Sequence, residues 1–290
     1  MGNQFECLLN FLEVKGMAIV NNKELAKKIE SIKRKGTKSY IEKQQELNPS
    51  TLSDCLSLEG KGDFFCTGSV SFGVGFGMDQ TVAKKDLAAI EEFVRSKEEV
   101  KHARFELTPF CDPLLLALLQ EQRYTLEQFL AVWVLDLKAW KPVEKSFPNN
   151  TVEIAEVANE DSFEWAWTVA LGISKDNTVS EETMEATRTF LEVPDNTGFL
   201  LKDNGESAAG GTLAIDGRLG ELFLASTVQA YRGKGHQNRL IEERIRYAKE
   251  KGCTHITVTT EPNTASARNM EKNGFGLIYN KAILRSPEIK

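Results

Sequence analysis

The feature that most constrains this chain is a short run of glycine and basic residues, Arg232-Gly233-Lys234-Gly235-His236-Gln237, set between a strand-like and a helix-like segment. Upstream, Leu219 to Val228 reads as a strand. Downstream, Asn238 to Lys251 puts Ile241, Ile245 and Ala248 on one helical face and is closed by Gly252. A strand that turns through glycines into a helix leaves several backbone N–H groups unpaired at the positive end of the helix dipole. Glycines 233 and 235 let the backbone approach a ligand closely, and Arg232 and Lys234 add positive charge, so the segment is suited to cradling a pyrophosphate. A P-loop needs G-x-x-x-x-G-K-[S/T] and a dinucleotide fingerprint needs G-x-G-x-x-G; neither spacing is present. Gly73, Gly75 and Gly77 alternate within a strand-like segment and are read as packing or bulge positions.

Around this loop the pattern is that of an α/β chain with a mixed sheet. At 290 residues and 41% hydrophobic content, two compact domains are expected, 1–140 and 150–290. Asn22 to Leu47 reads as an exposed amphipathic helix. A strand at 70–77, a helix at 86–95, a strand at 103–107, a helix entered through Asp112 and Pro113, and a strand at 129–137 follow. The segments Lys138 to Pro142 and Phe147 to Asn150 break every pattern and read as a linker. Beyond it, helices are expected at 159–171 and 178–191, the second with Thr178 and Glu181 as a capping box. Strands at 197–202, 207–215 and 219–228, joined by two hairpin turns, lead into the loop. After the loop's helix come a β-branched strand, 254–260, a last helix, 264–273, and a strand from Phe275. The order of strand, helix, strand and Pro109 in the first half is echoed by strand, helix, strand and Pro262 in the second, which reads either as a degenerate copy lacking the basic loop or as an order that any two α/β domains can share.

Composition narrows the function classes. A formal charge of -6 with 27% charged residues gives no basic excess for a nucleic-acid partner. No signal peptide or membrane span is read in the patchy apolar stretch Phe5 to Val20. The five scattered cysteines suggest neither a disulfide framework nor a zinc site, so a cytoplasmic setting without metal is expected.

The loop resembles the signature of the GNAT superfamily of acyl-CoA-dependent N-acetyltransferases, Arg/Gln-x-x-Gly-x-Gly/Ala, with Gln237 in place of the final small residue. A similar R-G-x-G-x-Q loop followed by T-x-P-x-S/T-x-S-x-R-N and G-F occurs in one branch, and Thr260 to Asn269 and Gly274-Phe275 match it. The resemblance covers roughly residues 150 to 285, and the first half is similar to the divergent N-terminal domain of two-domain members. It implies the GNAT fold in two tandem GNAT-like domains, with acetyl-CoA as acyl donor to a primary amine on a small molecule or protein. A non-catalytic acyl-CoA-binding or sensing protein is the alternative, and the first half could be an interaction platform.

What the resemblance implies for individual residues follows from that fold. The strand ending near Val228 splays from the strand at 254–260, and pantetheine pairs in the opening with backbone around Ser226, Thr227 and Val228. Amides across Arg232, Gly233, Lys234, Gly235, His236, Gln237 and Asn238 surround the pyrophosphate, and Asn263, Ser266 and Asn269 lie toward the thiol end. Glu221 or Glu261 is the candidate base. Met270 stands where many members carry a tyrosine acid, leaving Tyr231, Tyr279 or solvent for that role. Trp165 and Trp167 are read as core or as a pocket wall, and Arg239, Arg244 and Arg246 as a solvated helix face.

Overall fold

The computed structural model describes residues 22–142 and 151–289. Its frame is one sheet of eleven strands: β1 (Asp54–Leu58), β2 (Gly62–Thr67), β3 (Val70–Val74), β4 (Arg104–Leu107), β5 (Thr125–Asp136), β6 (Val152–Glu156), β7 (Asn196–Asp203), β8 (Glu206–Asp216), β9 (Leu219–Thr227), β10 (His255–Thr260) and β11 (Gly276–Arg285). In space they run β1-β2-β3-β4-β11-β5-β10-β9-β8-β7-β6. Only β3–β4 and β9–β10 pair in parallel, each bridged by a crossover helix, α2 (Lys84–Arg95) and α6 (His236–Glu250) respectively. The remaining helices are α1 (Lys23–Leu47), α3 (Pro113–Glu121), α4 (Ser162–Ile173), α5 (Glu181–Arg188) and α7 (Ala265–Lys272).

The order of the strands carries an exchange. β5, from the first half, lies between β10 and β11, while β11, from the second half, lies between β4 and β5. Each half therefore borrows a strand from the other, and the element order repeats about the sheet's middle, as the echo of strand, helix, strand and proline suggested. The borrowed strand is built into the receiving core: Ala131, Trp133 and Leu135 of β5 pack with Leu240, Ile245 and Ile256, and Trp133 Nε1 donates to Thr260 Oγ1 at 2.9 Å. In return Leu284 of β11 joins Phe105 and Leu115.

Most expected elements appear within a few residues of their predicted bounds. The hairpin β1–β2 has no counterpart in the sequence reading, because Asp54, Ser57 and Asp63 interrupt the apolar signal. The cap of α5 is Ser180, whose hydroxyl accepts from Thr183 N–H at 3.1 Å, rather than Thr178. Helix α1 is not an exposed helix: Ala26, Ile29, Glu30, Ile32, Tyr40 and Ile41 are buried, and its Ala26, Ile29 and Ile32 pack with Val132, Ala214 and Leu219 across the seam between the halves. The expected linker at 147–150 and the stretch Phe5 to Val20 lie outside the described residues. Among the described residues no helix is long and apolar enough to cross a membrane.

At that seam three buried charged groups meet. Lys281 of β11 donates to Glu30 of α1 at 2.9 Å and to Glu106 of β4 at 3.1 Å, and Lys33 donates to both oxygens of Glu106 at 2.6 and 2.7 Å. Burial alone would raise the Glu106 carboxyl, but Lys33 and Lys281 hold it down at about 2. Buried charges are tolerated only when so compensated.

The exchange predicts that a fragment of residues 151–290, missing β5, shows no cooperative thermal unfolding by circular dichroism, and that adding the fragment 1–142 restores a transition. A cooperative transition in the isolated fragment would contradict the dependence on β5.

Candidate active site

Strands β9 and β10 are in register from Leu219–His255 to Leu222–Val258 and pair no further. What separates them is local to β9. Between Gly210–Ser226 and Thr212–Phe223 its pairing with β8 takes in one extra residue, and Leu224 adopts φ +44°. This bulge turns the end of β9 away from β10 and opens a cleft of about 770 Å³, lined by Phe223 to Thr227 on one side and by Val258, Thr259, Ser266, Asn269 and Met270 on the other.

The cleft runs into the loop before α6. Gly233 and Gly235 adopt φ +79° and +83°, a left-handed conformation that favours glycine, and Gly235 caps the helix. The carbonyl of Gly235 accepts from the amides of Asn238 and Arg239, whereas the amides of residues 233 to 237 meet no acceptor among the described residues. Five unpartnered N–H groups leading into a helix N-terminus have the geometry that suits an anion.

The basic side chains around them act differently from a simple ring of charge. Arg232 donates to the carbonyls of Thr227 and Gly172 at 3.1 and 2.8 Å, bracing the loop against β9 and α4. Lys234 lies 3.4 Å from Asp203 Oδ2 and covers the Tyr231 ring. The buried His236 imidazole is 3.2 Å from the same carboxylate oxygen. Burial holds the His236 pKa down against the pull of Asp203, so at neutral pH its contribution to the loop is neutral. Gln237 donates to Thr227 Oγ1 at 2.9 Å, pinning the helix start to the strand end.

Of the expected coenzyme residues, Ser226, Thr227, Arg232, Gly233, Gly235, His236, Gln237, Asn238, Ser266 and Asn269 line the cleft, and Val228, Lys234 and Asn263 do not. Ser226 spends its hydroxyl on the Val169 carbonyl, at 2.8 Å. A side chain at Gly172 would collide with that hydroxyl, which explains the glycine. Glu261 is exposed at the end of β10, whereas Glu221 is partly buried on β9 and faces a second cavity that shares the Phe223 wall with the cleft. Met270 lines the cleft and has no proton to give; Tyr279 is buried against Glu30 at 3.0 Å, away from the cleft, while Tyr231 lines it. Trp165 is fully buried in the core and Trp167 is exposed.

Arg244 departs from the expected solvated face. It is 1% exposed, donates to the carbonyls of Leu240 and Thr212, and lines the cleft without a carboxylate partner among the described residues. Burial lowers its pKa to about 9, so it stays charged at neutral pH. Gly211 makes room for its guanidinium. The signal was in the periodicity, because Arg244 occupies a core position among Leu240, Ile241, Ile245 and Ala248.

Residues 158–275, which span the cleft and its loop, match the acetyltransferase (GNAT) family. The second half of this chain is a GNAT-type acyltransferase domain. Solved structures agree on the fold over a longer span. A GCN5-related N-acetyltransferase from Kribbella flavida is 16% identical with a TM-score of 0.61, over 86% of this chain and 95% of its own. One from Sphaerobacter thermophilus is 12% identical with a TM-score of 0.60, over 81% and 82%. A tandem GNAT protein from the clavulanic acid biosynthesis pathway is 10% identical with a TM-score of 0.60, over 79% and 78%. No curated protein sequence matches the chain.

The first half of the chain, outside the family match, has the same strand–helix–strand unit without a glycine-rich basic loop. After β3, Phe76 and Met78 are buried, and the Asp112 amide donates to the Gly77 carbonyl at 2.8 Å, tying together the two loops that stand apart in the second half.

Glu221 carries the pH signature of the site. Burial raises its carboxyl to about 7, with Glu30 and Glu106 adding to the rise and Lys33 and Lys281 opposing it. A folded-state pKa above the ordinary 4.5 means that ionising Glu221 costs stability as pH rises through the window from 4.5 to about 7. Glu221→Gln removes that cost, so the melting temperature of the variant relative to wild type should climb between pH 5 and pH 8. A difference that stays flat across that range would show that Glu221 titrates normally.

Proposed function

We propose that this protein is an N-acetyltransferase that moves an acetyl group from acetyl-CoA to a primary amine. The observation that carries the reading is the run of unpartnered amides at residues 233 to 237, at the mouth of a cleft formed where β9 leaves β10. The amides suit the pyrophosphate, and the unpaired edge of β9 at Phe223 to Ser226 suits a pantetheine arm lying beside it as an added strand. Arg244 adds an uncompensated positive charge to the cleft wall level with Phe223, an arrangement that favours an anionic coenzyme.

Glu221 is the group we assign as general base, since its carboxyl meets no hydrogen-bond donor or ion-pair partner among the described residues and titrates near neutrality. An amine arriving as ammonium gives a proton toward Glu221; its lone pair then forms the C–N bond while the C–S bond of the thioester breaks. The nitrogen loses a second proton as the amide forms, the thiolate leaves with the C–S electron pair and takes up one proton, and the other is released to solvent, one per turnover. Glu261, exposed and outside the cleft, is the weaker candidate. The four described cysteines are free, which suits a reducing, cytoplasmic setting.

Calorimetric titration with acetyl-CoA tests the donor site. Wild type should bind saturably, and Gly235→Asp, which places a side chain on a left-handed residue and a negative charge among the amides, should weaken binding at least about tenfold while the fold persists by circular dichroism. Equal affinities would remove the loop from the site. Glu221→Gln should bind acetyl-CoA as wild type does and lose roughly a hundredfold in kcat for an accepted amine. Undiminished kcat would reassign the base.

A further inference from the structure

The second cavity, about 290 Å³, lies on the α1 side of the sheet, behind Phe223. Both halves build it. Lys33, Gly36 and Tyr40 of α1 and Phe72 of β3 come from the first half, and Phe223 and Glu221 of β9 from the second. Its wall is aromatic: Tyr40 stacks on Phe190 at 4.0 Å between ring centroids, and Phe190 meets Phe223 edge-on at 5.7 Å. An engineered cavity of about 150 Å³ holds one benzene, so this space is large enough for a ring with a short side arm.

Charge decides what that arm carries. Of the charged groups, Lys33 and Glu221 line the cavity, and Lys281, Glu30 and Glu106 act on Glu221 from the buried cluster behind it, where the Tyr279 hydroxyl donates to Glu30. Both lysines are already held: Lys33 by Glu106, and Lys281 by Glu30 and Glu106. Glu221 is left as a carboxylate that accepts from nothing among the described residues, open to the cavity and two residues along β9 from the wall shared with the coenzyme cleft. The cluster lacks one positive charge, and an ammonium entering the cavity supplies it.

We propose that this cavity is the acceptor site and that the acceptor is a small primary amine on an aromatic or branched apolar body, with its nitrogen at Glu221. The inference rests on the transferase reading above for its chemistry, but the cavity is defined independently of the coenzyme loop. The first half then supplies a wall of the acceptor site in place of a second cradle.

Gly36 gives a direct test. A Cβ there meets nothing within 4 Å, it lines the cavity, and a larger residue inside α1 favours the helix, so Gly36→Leu fills the space without endangering the fold. The amine is 2-phenylethylamine, compared with methylamine and with a blocked lysine tripeptide, by thiol release from acetyl-CoA. Wild type should show a KM for 2-phenylethylamine roughly ten- to hundredfold below that for methylamine. Gly36→Leu should erase that advantage while its affinity for acetyl-CoA and its melting temperature hold. Equal KM values in wild type, an unchanged 2-phenylethylamine KM in Gly36→Leu, or preference for the lysine peptide would overturn the proposal. Loss in Gly36→Leu of discrimination between phenylacetyl-CoA and acetyl-CoA, with amine preference intact, would assign the cavity to the acyl group and overturn it too. Ligand-observed NMR without coenzyme separates the two readings. Binding of 2-phenylethylamine that Gly36→Leu abolishes, with no turnover of any amine, supports the cavity and sinks the transferase reading; turnover of the peptide without 2-phenylethylamine binding does the reverse.

Discussion

Two long strands crossing between the halves hold this structure together: β5 runs between β10 and β11, and β11 between β4 and β5. Neither half closes its own sheet. An open strand edge exposes unpaired N–H and C=O groups, and each half covers the edge at β4 or β10 with the other's strand. The core is shared in the same way, with Trp133 from the first half seated among Leu240 and Ile256 of the second. This sets the whole chain as the unit of stability, even though the family match covers residues 158–275 alone.

The exchange also fixes where charge can be buried. Lys281 sits on β11, opposite Leu130 of β5, and reaches Glu30 on α1 and Glu106 on β4. These groups are brought together only if α1 lies across the sheet and β11 enters the first half. Removing one partner would strand a charge in a water-poor seam, which costs more than an intact pair contributes. The cluster therefore specifies the register of the exchange, and it sets the field in which Glu221 titrates.

Local patterns were legible in the sequence, and long-range pairings were not. The loop from Arg232 to Gln237 stood out because glycines and basic residues interrupt a strand-to-helix transition, and ten of the thirteen expected coenzyme residues line the cleft. Arg244 was misread because its charge outweighed its position, although helical spacing put it among core residues. Asp203 gives no sign in sequence that it will lie against Lys234 and His236, because the contacts join residues more than thirty positions apart across β7 and the loop. The acceptor-side cavity was invisible for the same reason: Gly36, Phe72 and Phe223 are brought together only by the exchange and by α1 crossing the sheet. Glu30 and Lys33 read as ordinary charges on an amphipathic helix until β4 and β11 arrive beside them.

The two halves share an order of elements but differ where the first parallel strand meets its loop, and packing accounts for the difference. The second half keeps its cleft because the β9 bulge and the left-handed glycines hold strand and loop apart. In the first half Phe76 and Met78, just past β3, are buried in the core, and the Asp112 amide donates to the Gly77 carbonyl, joining the two loops. Met78 packs with Val132, so this closed arrangement also supports β5, on which the second half depends. The first half is required for its strand, and its α1 lies against the face of β9 that carries Glu221 and Phe223. Substitutions in α1 and β3 can therefore reshape the wall opposite Glu221 without touching the loop from Arg232 to Gln237, no residue of which lines that cavity.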